Sequence, residues 1–291
     1  MDIKEYMNRI EDRYDNPYIQ IPKKLMRQLY VDMNTEGQTM YMPYAYSFLI
    51  ANAFLYKYVH YVDFENSEYI NISDIKTLLK YNPNSQKINK ISKRHDGVLE
   101  KYDYVETTTD IPVAIYWEEA KKKGDLNKRK IIRVSEASPE IDSILKSSIL
   151  KTTHLCTYIP EFMMDYNKKD GTMNDYSGTY RLTYKEFSYF MFDDRFTIRD
   201  FLLYCFLKSS GGKEETATFS YDSVRTNTGI SHVTAKKSYE KLKENNVIGI
   251  KDNPKKNHIY NNPKTYFVSE EFKNKHKIKK KKRSKKRKSL S

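Results

Sequence analysis

FSYDSVRTNTGISHVTAKKSYEKLKENNVIGI, residues 219–250, is the stretch whose reading decides this chain. Ser220 is placed to cap a short helix, with Phe219 at N′ and Val224 at N4 as a hydrophobic staple requires. Asn227, Thr228 and Gly229 follow as a tight turn, and Gly229 is free to take the positive φ that ends a helix. Ser231 caps a second helix with an apolar side of Ala235, Tyr239 and Leu242. Its other side carries His232, Thr234, Lys236, Lys237 and Lys241. An apolar back and a basic, hydrogen-bonding front are what a helix needs to enter a DNA major groove.

Outward from this pair, residues 247–251 are β-prone. A polar loop over 252–262 holds Lys255 and Lys256, and residues 265–268 are β-prone again. A strand, a basic loop and a strand after a basic helix make a wing. GISHVTAKKSYEKLKENNVI, residues 229–248, resembles the winged-helix DNA-binding family. The resemblance implies that the second helix reads a groove and that Lys255 and Lys256 hold phosphate. Ser231, His232, Thr234, Lys236, Lys237 and Lys241 are then the C-terminal DNA-binding set.

The first half repeats the order. Residues 43–62 read as a helix with Tyr46, Phe48, Leu49, Ala53, Tyr56 and Val59 on a broad apolar face. A short strand over 69–72 leads to a helix capped by Ser73, with Ile75, Leu78 and Leu79 inward. The YNPN turn, 81–84, stops it. The pattern predicts one helix over 85–101. Ile88, Ile91, Val98 and Leu99 lie on its buried side, and Gln86, Lys87, Asn89, Lys90, Lys93 and Arg94 face out as a second DNA-binding set. Strands over 102–107 and 113–117 complete the unit. Three echoes tie the halves: PKKLM (22–26) with PEFMM (160–164), INISDIKTLL (70–79) with ATFSYDSV (217–224), and LEKYDYV (99–105) with LKENNVI (242–248). The alternative is two unrelated helical domains that share a common pattern.

The expected fold is α+β, mainly α: two tandem winged helix-turn-helix domains and a disordered basic tail. The divisions are a polar leader (1–17), an N-terminal domain (18–120), a linker with a strand and a helix (121–157), a C-terminal domain (158–271) and a Lys/Arg-rich tail (272–291). The helix of the linker begins at Ser138-Pro139-Glu140. The chain has 291 residues and a net charge of +14. Residues 273–288 hold twelve Lys/Arg and no acid, which leaves +2 for the rest, so a DNA-binding surface on the body must be a local patch. The tail itself suits nonspecific grip on a polyanion.

Cys156 and Cys205 stand apart with no ligand-spaced histidine, which points to reduced cysteines and no structural zinc. The N-terminus lacks the apolar core of a signal peptide, and no apolar run reaches the length of a membrane span. The expectation is a cytoplasmic, nucleoid-associated chain (nuclear in a eukaryote). Enzyme signatures fail in turn. Gly211-Gly212-Lys213 lacks the spacing of a phosphate loop, and no His-x-His pair exists. The run from Asp165 has Lys169 and Tyr176 where a calcium loop needs oxygen ligands. Asp193-Asp194, His95 and His154 have no catalytic company, so the expectation is a binding protein with no catalytic residue, cofactor or metal.

On the two helix-turn-helix stretches, and in architecture over 18–268, the chain is similar to the replication initiators of plasmids and phages. That resemblance implies binding to origin repeats in double-stranded DNA, a self-paired dimer when autoregulating, and recruitment of the host replicative helicase or its loader. Two other readings use the same parts: a transcriptional regulator of a mobile genetic element, and a winged-helix module turned to protein interaction.

Overall fold

Two long helices make the centre. The computed structural model describes residues 2–63, 68–93, 95–116, 129–136, 156–164, 178–211, 215–251 and 263–276. Helix α1 (Ile3–Arg13), strand β1 (Tyr18–Pro22) and helix α2 (Leu25–Thr35) lead to α3 (Met42–Tyr58), which buries every residue but Lys57. The sequence gives a broad apolar face here, yet the helix is enclosed on all sides. No charge interrupts it before Lys57, and a helix apolar all round must be covered all round. Its buried Asn52 donates its side-chain amide to the Phe48 carbonyl at 2.9 Å, while Tyr61 donates to the Asn52 backbone carbonyl at 3.3 Å.

After α3 come β2 (Val62–Asp63), β3 (Glu68–Tyr69), α4 (Ile72–Leu78), α5 (Asn89–Ser92), α6 (Val98–Lys101), β4 (Val105–Thr108), β5 (Pro112–Tyr116), β6 (Arg129–Arg133) and β7 (Thr157–Pro160). The second half holds β8 (Thr179–Thr183), α7 (Tyr184–Phe192), α8 (Ile198–Gly211), β9 (Thr216–Phe219), α9 (Tyr221–Thr228), α10 (His232–Glu244), β10 (Ile248–Lys251), β11 (Lys264–Val268) and α11 (Glu270–His276). The chain is therefore a mainly helical α/β mixture with small antiparallel sheets. No helix among the described residues is long and apolar enough to cross a membrane.

Helix α8 packs against α3, and strands β1 and β8 join the halves as an antiparallel ribbon. Ile19 and Ile21 pair with Leu182 and Tyr180, so both strands turn the same alternate residues to one core. Tyr46 of α3 and Tyr180 of β8 share a buried hydroxyl hydrogen bond. The apolar core is continuous through both halves. The tyrosines fill it: Tyr44, Tyr61, Tyr204 and Tyr239 are fully buried, and each hydroxyl finds a partner in Ser92, the Tyr158 carbonyl, Glu186 and the Leu203 carbonyl respectively.

Both chain ends as described differ from the expected polar leader and tail. Helix α1 buries Ile3, Tyr6, Met7 and Ile10, an i, i+3, i+4, i+7 stripe, so it is part of the core. Helix α11 buries Phe272 against the rings of Tyr189 and Tyr204, which places the start of the expected tail inside the fold. The helix expected from Ser138, the loop 252–262 with Lys255 and Lys256, the run from Asp165, His154, Arg94 and the basic residues 277–291 lie outside the described residues.

Within α7 and α8, Glu186 caps α7 and meets Lys208 at 2.5 Å, and Lys208 also meets Glu215 at 2.9 Å. Burial pushes the Glu186 pKa up, but the Lys208 ammonium and the Tyr204 hydroxyl more than offset this and hold it below the ordinary value. The charges are retained inside because each has a partner.

Candidate nucleic-acid interface

In the second half, β9, β10 and β11 form one antiparallel sheet in the order β10–β11–β9. Phe219 pairs with Lys264, and Ile248 with Val268. Helices α9 and α10 lie between β9 and β10 in the chain. As the sequence implies, Ser220 accepts from the Ser223 amide at 3.3 Å, Ser231 accepts from the Thr234 amide at 3.3 Å, and Gly229 takes φ 71°. Gly229 is required twice over. A Cβ there would lie 2.7 Å from the Tyr30 ring of α2, in a conformation that L residues avoid.

Helix α10 buries Ala235, Ser238, Tyr239 and Leu242 and leaves Ser231, His232, Val233, Lys236 and Lys237 exposed. The His232 ring packs on Tyr221 with centroids 4.4 Å apart, which fixes its direction. Thr234 is half-buried, and its hydroxyl bonds to Ser231 at 2.9 Å. Lys241 departs from the expected DNA-binding set. Its ammonium meets the buried Asp200 carboxylate at 2.7 Å, so it ties α10 to α8. One turn beyond Lys237, the helix surface has already rolled toward the core, and a long side chain there finds the carboxylate that caps α8. Val233, at 65% exposure, belongs to the same surface; it lies outside the expected set, which consists of polar and basic side chains.

The first half follows the same course as far as its short helix, then departs. Helix α4 is capped by Asn71, not Ser73: Asn71 accepts from the Asp74 amide at 3.1 Å, and Asp74 accepts from the Asn71 amide at 2.9 Å. Lys80 then stands where Gly229 stands, at φ 63°. The single helix expected over 85–101 is instead α5 and α6 with a break between them. Gly97 explains the break: a Cβ there would lie 2.6 Å from the Lys93 carbonyl oxygen, so the chain folds back on itself where only glycine fits. Asp96-Gly97 is a turn signal inside an otherwise helical pattern. Ile88, Ile91, Val98 and Leu99 are buried as expected.

Of the outward set, Gln86, Lys87, Lys90 and Lys93 are exposed. Lys93 pairs with Asp96 at 2.8 Å, and Asn89 is drawn inward. Asn89 accepts from Lys76 at 2.8 Å, and Lys76 also donates to the Pro83 and Ser85 carbonyls. Burial lowers the Lys76 pKa from its ordinary value. Strands β4 and β5 do not pair with each other or with β3: β4 pairs with β7 and β5 with β6. Among the described residues, then, the first half assembles no three-stranded sheet like that of the second.

Two details nonetheless match the halves closely. After α6, Asp103 takes φ 55° and the Tyr104 amide donates to the Leu99 carbonyl at 2.8 Å. After α10, Asn246 takes φ 57° and the Val247 amide donates to the Leu242 carbonyl at 2.9 Å. LEKYDYV and LKENNVI thus close by one Schellman-type turn. The other detail is reciprocal packing. The α9 turn rests on Tyr30 of α2, while Lys80 at the α4 turn donates to the carbonyls of Phe190, Asp193 and Phe196 at the end of α7, at 3.1, 2.6 and 2.7 Å. Each half leans its turn on the helix that precedes the long helix of the other. PKKLM and PEFMM differ in their sequel: Pro22 ends β1 and leads into α2, whereas Pro160 ends β7 and leads into a single 3-10 turn over Glu161–Met163.

A cleft of about 500 Å³ lies elsewhere, between β4–β7 and β5–β6, with Glu100, Glu106, Glu136 and Glu161 about Arg133. Arg133 is paired with Glu106. Its acidic rim is of the wrong sign to hold a phosphate backbone. Among the described residues no cluster of His, Cys, Asp or Glu could hold a metal ion. No known protein family, curated protein or solved structure matches this chain.

Proposed function

We propose that this chain binds double-stranded DNA with sequence preference, through a winged-helix unit over 198–268 and a diverged second unit over 42–116. The observation that carries the reading is the second half's assembly. A helix, a strand, two helices about a glycine turn and a hairpin close on a β10–β11–β9 sheet, and the outer face of α10 carries His232, Lys236 and Lys237. A basic helix seated on such a base, N-terminal turn outward, suits a major groove. Shared turns and reciprocal packing favour two units of one descent, and a paired reader suits repeated sites. Within that class the reading we favour is a plasmid or phage replication initiator acting on origin repeats, with itself and a host helicase or its loader as protein partners.

Footprinting of the full chain on DNA flanking its own gene tests this, beside a chain ending at residue 276. That end point keeps α11, whose Phe272 is buried. Protection of spaced repeats by both proteins is the expected result. Binding that is diffuse and disappears with residues 277–291 would sink it, because then only the Lys/Arg run grips DNA.

A further inference from the structure

Four large apolar side chains are exposed among the described residues: Val31, Met40, Val233 and Phe267. Phe267 lies over Gly249, where its ring occupies the space a Cβ would take, so it has a partner within the sheet. Val31 and Met40 lie on α2 and the turn after it. Val233 alone sits on the face described above. It is the second residue of α10, with Lys236 and Lys237 three and four positions on, so the three share one side of the helix. A β-branched side chain in a helix is held in essentially one χ1 rotamer, so Val233 projects two methyl groups in a fixed direction.

We propose that Val233 reads a thymine: its methyl groups pack on the C5-methyl of a thymine in the major groove, beside phosphates held by Lys236 and Lys237. The proposal rests on the DNA-binding reading above and adds a base identity to it. Residues at the N-terminal turn of a groove-bound helix are those that meet base edges. Of the groups displayed on the major-groove edge, the thymine methyl is the apolar one. An exposed valine there gains burial only against thymine. Polar edges would leave its methyl groups against unmatched donors and acceptors.

The test begins with selection of a preferred duplex from random sequence by the full chain. Each thymine of that duplex is then replaced in turn by deoxyuridine, which removes the methyl and leaves the pairing. Burial of one methyl-sized group corresponds to about fourfold in affinity. For the unaltered chain, at least one replacement should weaken binding about fourfold. The same replacement should cost the Val233→Ala chain less, because only its Cβ remains to meet the methyl. Val233 is exposed and alanine favours helix, so this variant keeps its melting temperature. A selected duplex in which every uridine replacement affects both chains equally, or neither, overturns the thymine contact and leaves DNA reading intact. Failure to select any duplex overturns the DNA reading, and the thymine contact with it.

Discussion

Residues 85–101 and 231–244 have the same pattern on paper, a basic surface over spaced apolar residues, and they fold differently. The later segment is one helix on a closed three-stranded sheet. The earlier one is two short helical pieces around Gly97, with its following strands paired to β7 and β6. The difference teaches that apolar spacing fixes which side is buried and leaves continuity open. Ile88, Ile91, Val98 and Leu99 are buried in either case. One backbone contact, the Gly97 approach to Lys93, decides that the helix stops.

The sharpest way to break this comparison is Gly97→Ala. In a continuous exposed helix the change would stabilise the chain by about 1 kcal/mol. In the observed fold the new methyl meets the Lys93 carbonyl and amide, so we expect a loss of about 3 kcal/mol or more in chemical denaturation. The sign alone separates the two conformations. Next in size is Lys241→Met, which leaves the buried Asp200 carboxylate without its ammonium partner. A loss of about 2 kcal/mol is expected, with DNA affinity unchanged once the folded fraction is matched. A fall in affinity with stability intact would return Lys241 to the proposed DNA-binding face.

Lys80→Met removes three charge-assisted bonds to the end of α7 from a side chain with a solvent-facing stem, and about 1.5 kcal/mol should be lost. The loss would show that the first half's turn braces the second half. Lys237→Ala should shift stability by less than about 0.5 kcal/mol, because its side chain is exposed. It should weaken binding across sequences and reduce the slope of log affinity against log salt by about 1. The same substitution at Lys90 measures how far the broken segment shares that role.

Acid should act on the buried Glu186–Lys208 pair of the second half. The Glu186 pKa is lowered in the folded chain from an ordinary value of 4.5, so its contribution to stability is complete above that pH. It is lost as pH falls through the lower, folded value. Thermal melting should therefore hold down to about pH 4.5 and fall below it.

Local signals were legible where chain neighbours settle them. The caps at Ser220 and Ser231 and the left-handed Gly229 depend on residues within four positions of one another, and the apolar back of α10 on residues within seven. The cap of α4 lies two residues before the expected Ser73, since Asn71 and Ser73 are both competent caps and the Asp74 side chain selects Asn71. Charge and helical spacing alone place Lys241 in the expected DNA-binding set. Its partner Asp200 is forty-one positions earlier, beyond what spacing on one helix reports.

The sequence by itself thus determined α9, α10, β10 and β11, the basic face of α10 and the apolar positions of both helix pairs. These follow from backbone preference and periodicity, which act over a few residues. The tertiary structure decided that α3 is enclosed on all sides, that β1 and β8 weld the halves into one core, that β4 and β5 find partners in 129–160, and that the ammonium groups of Lys80 and Lys241 meet backbone carbonyls and a carboxylate of other elements. Each is a choice among partners distant in the chain, made by burial and by the need of every buried polar group for a hydrogen bond.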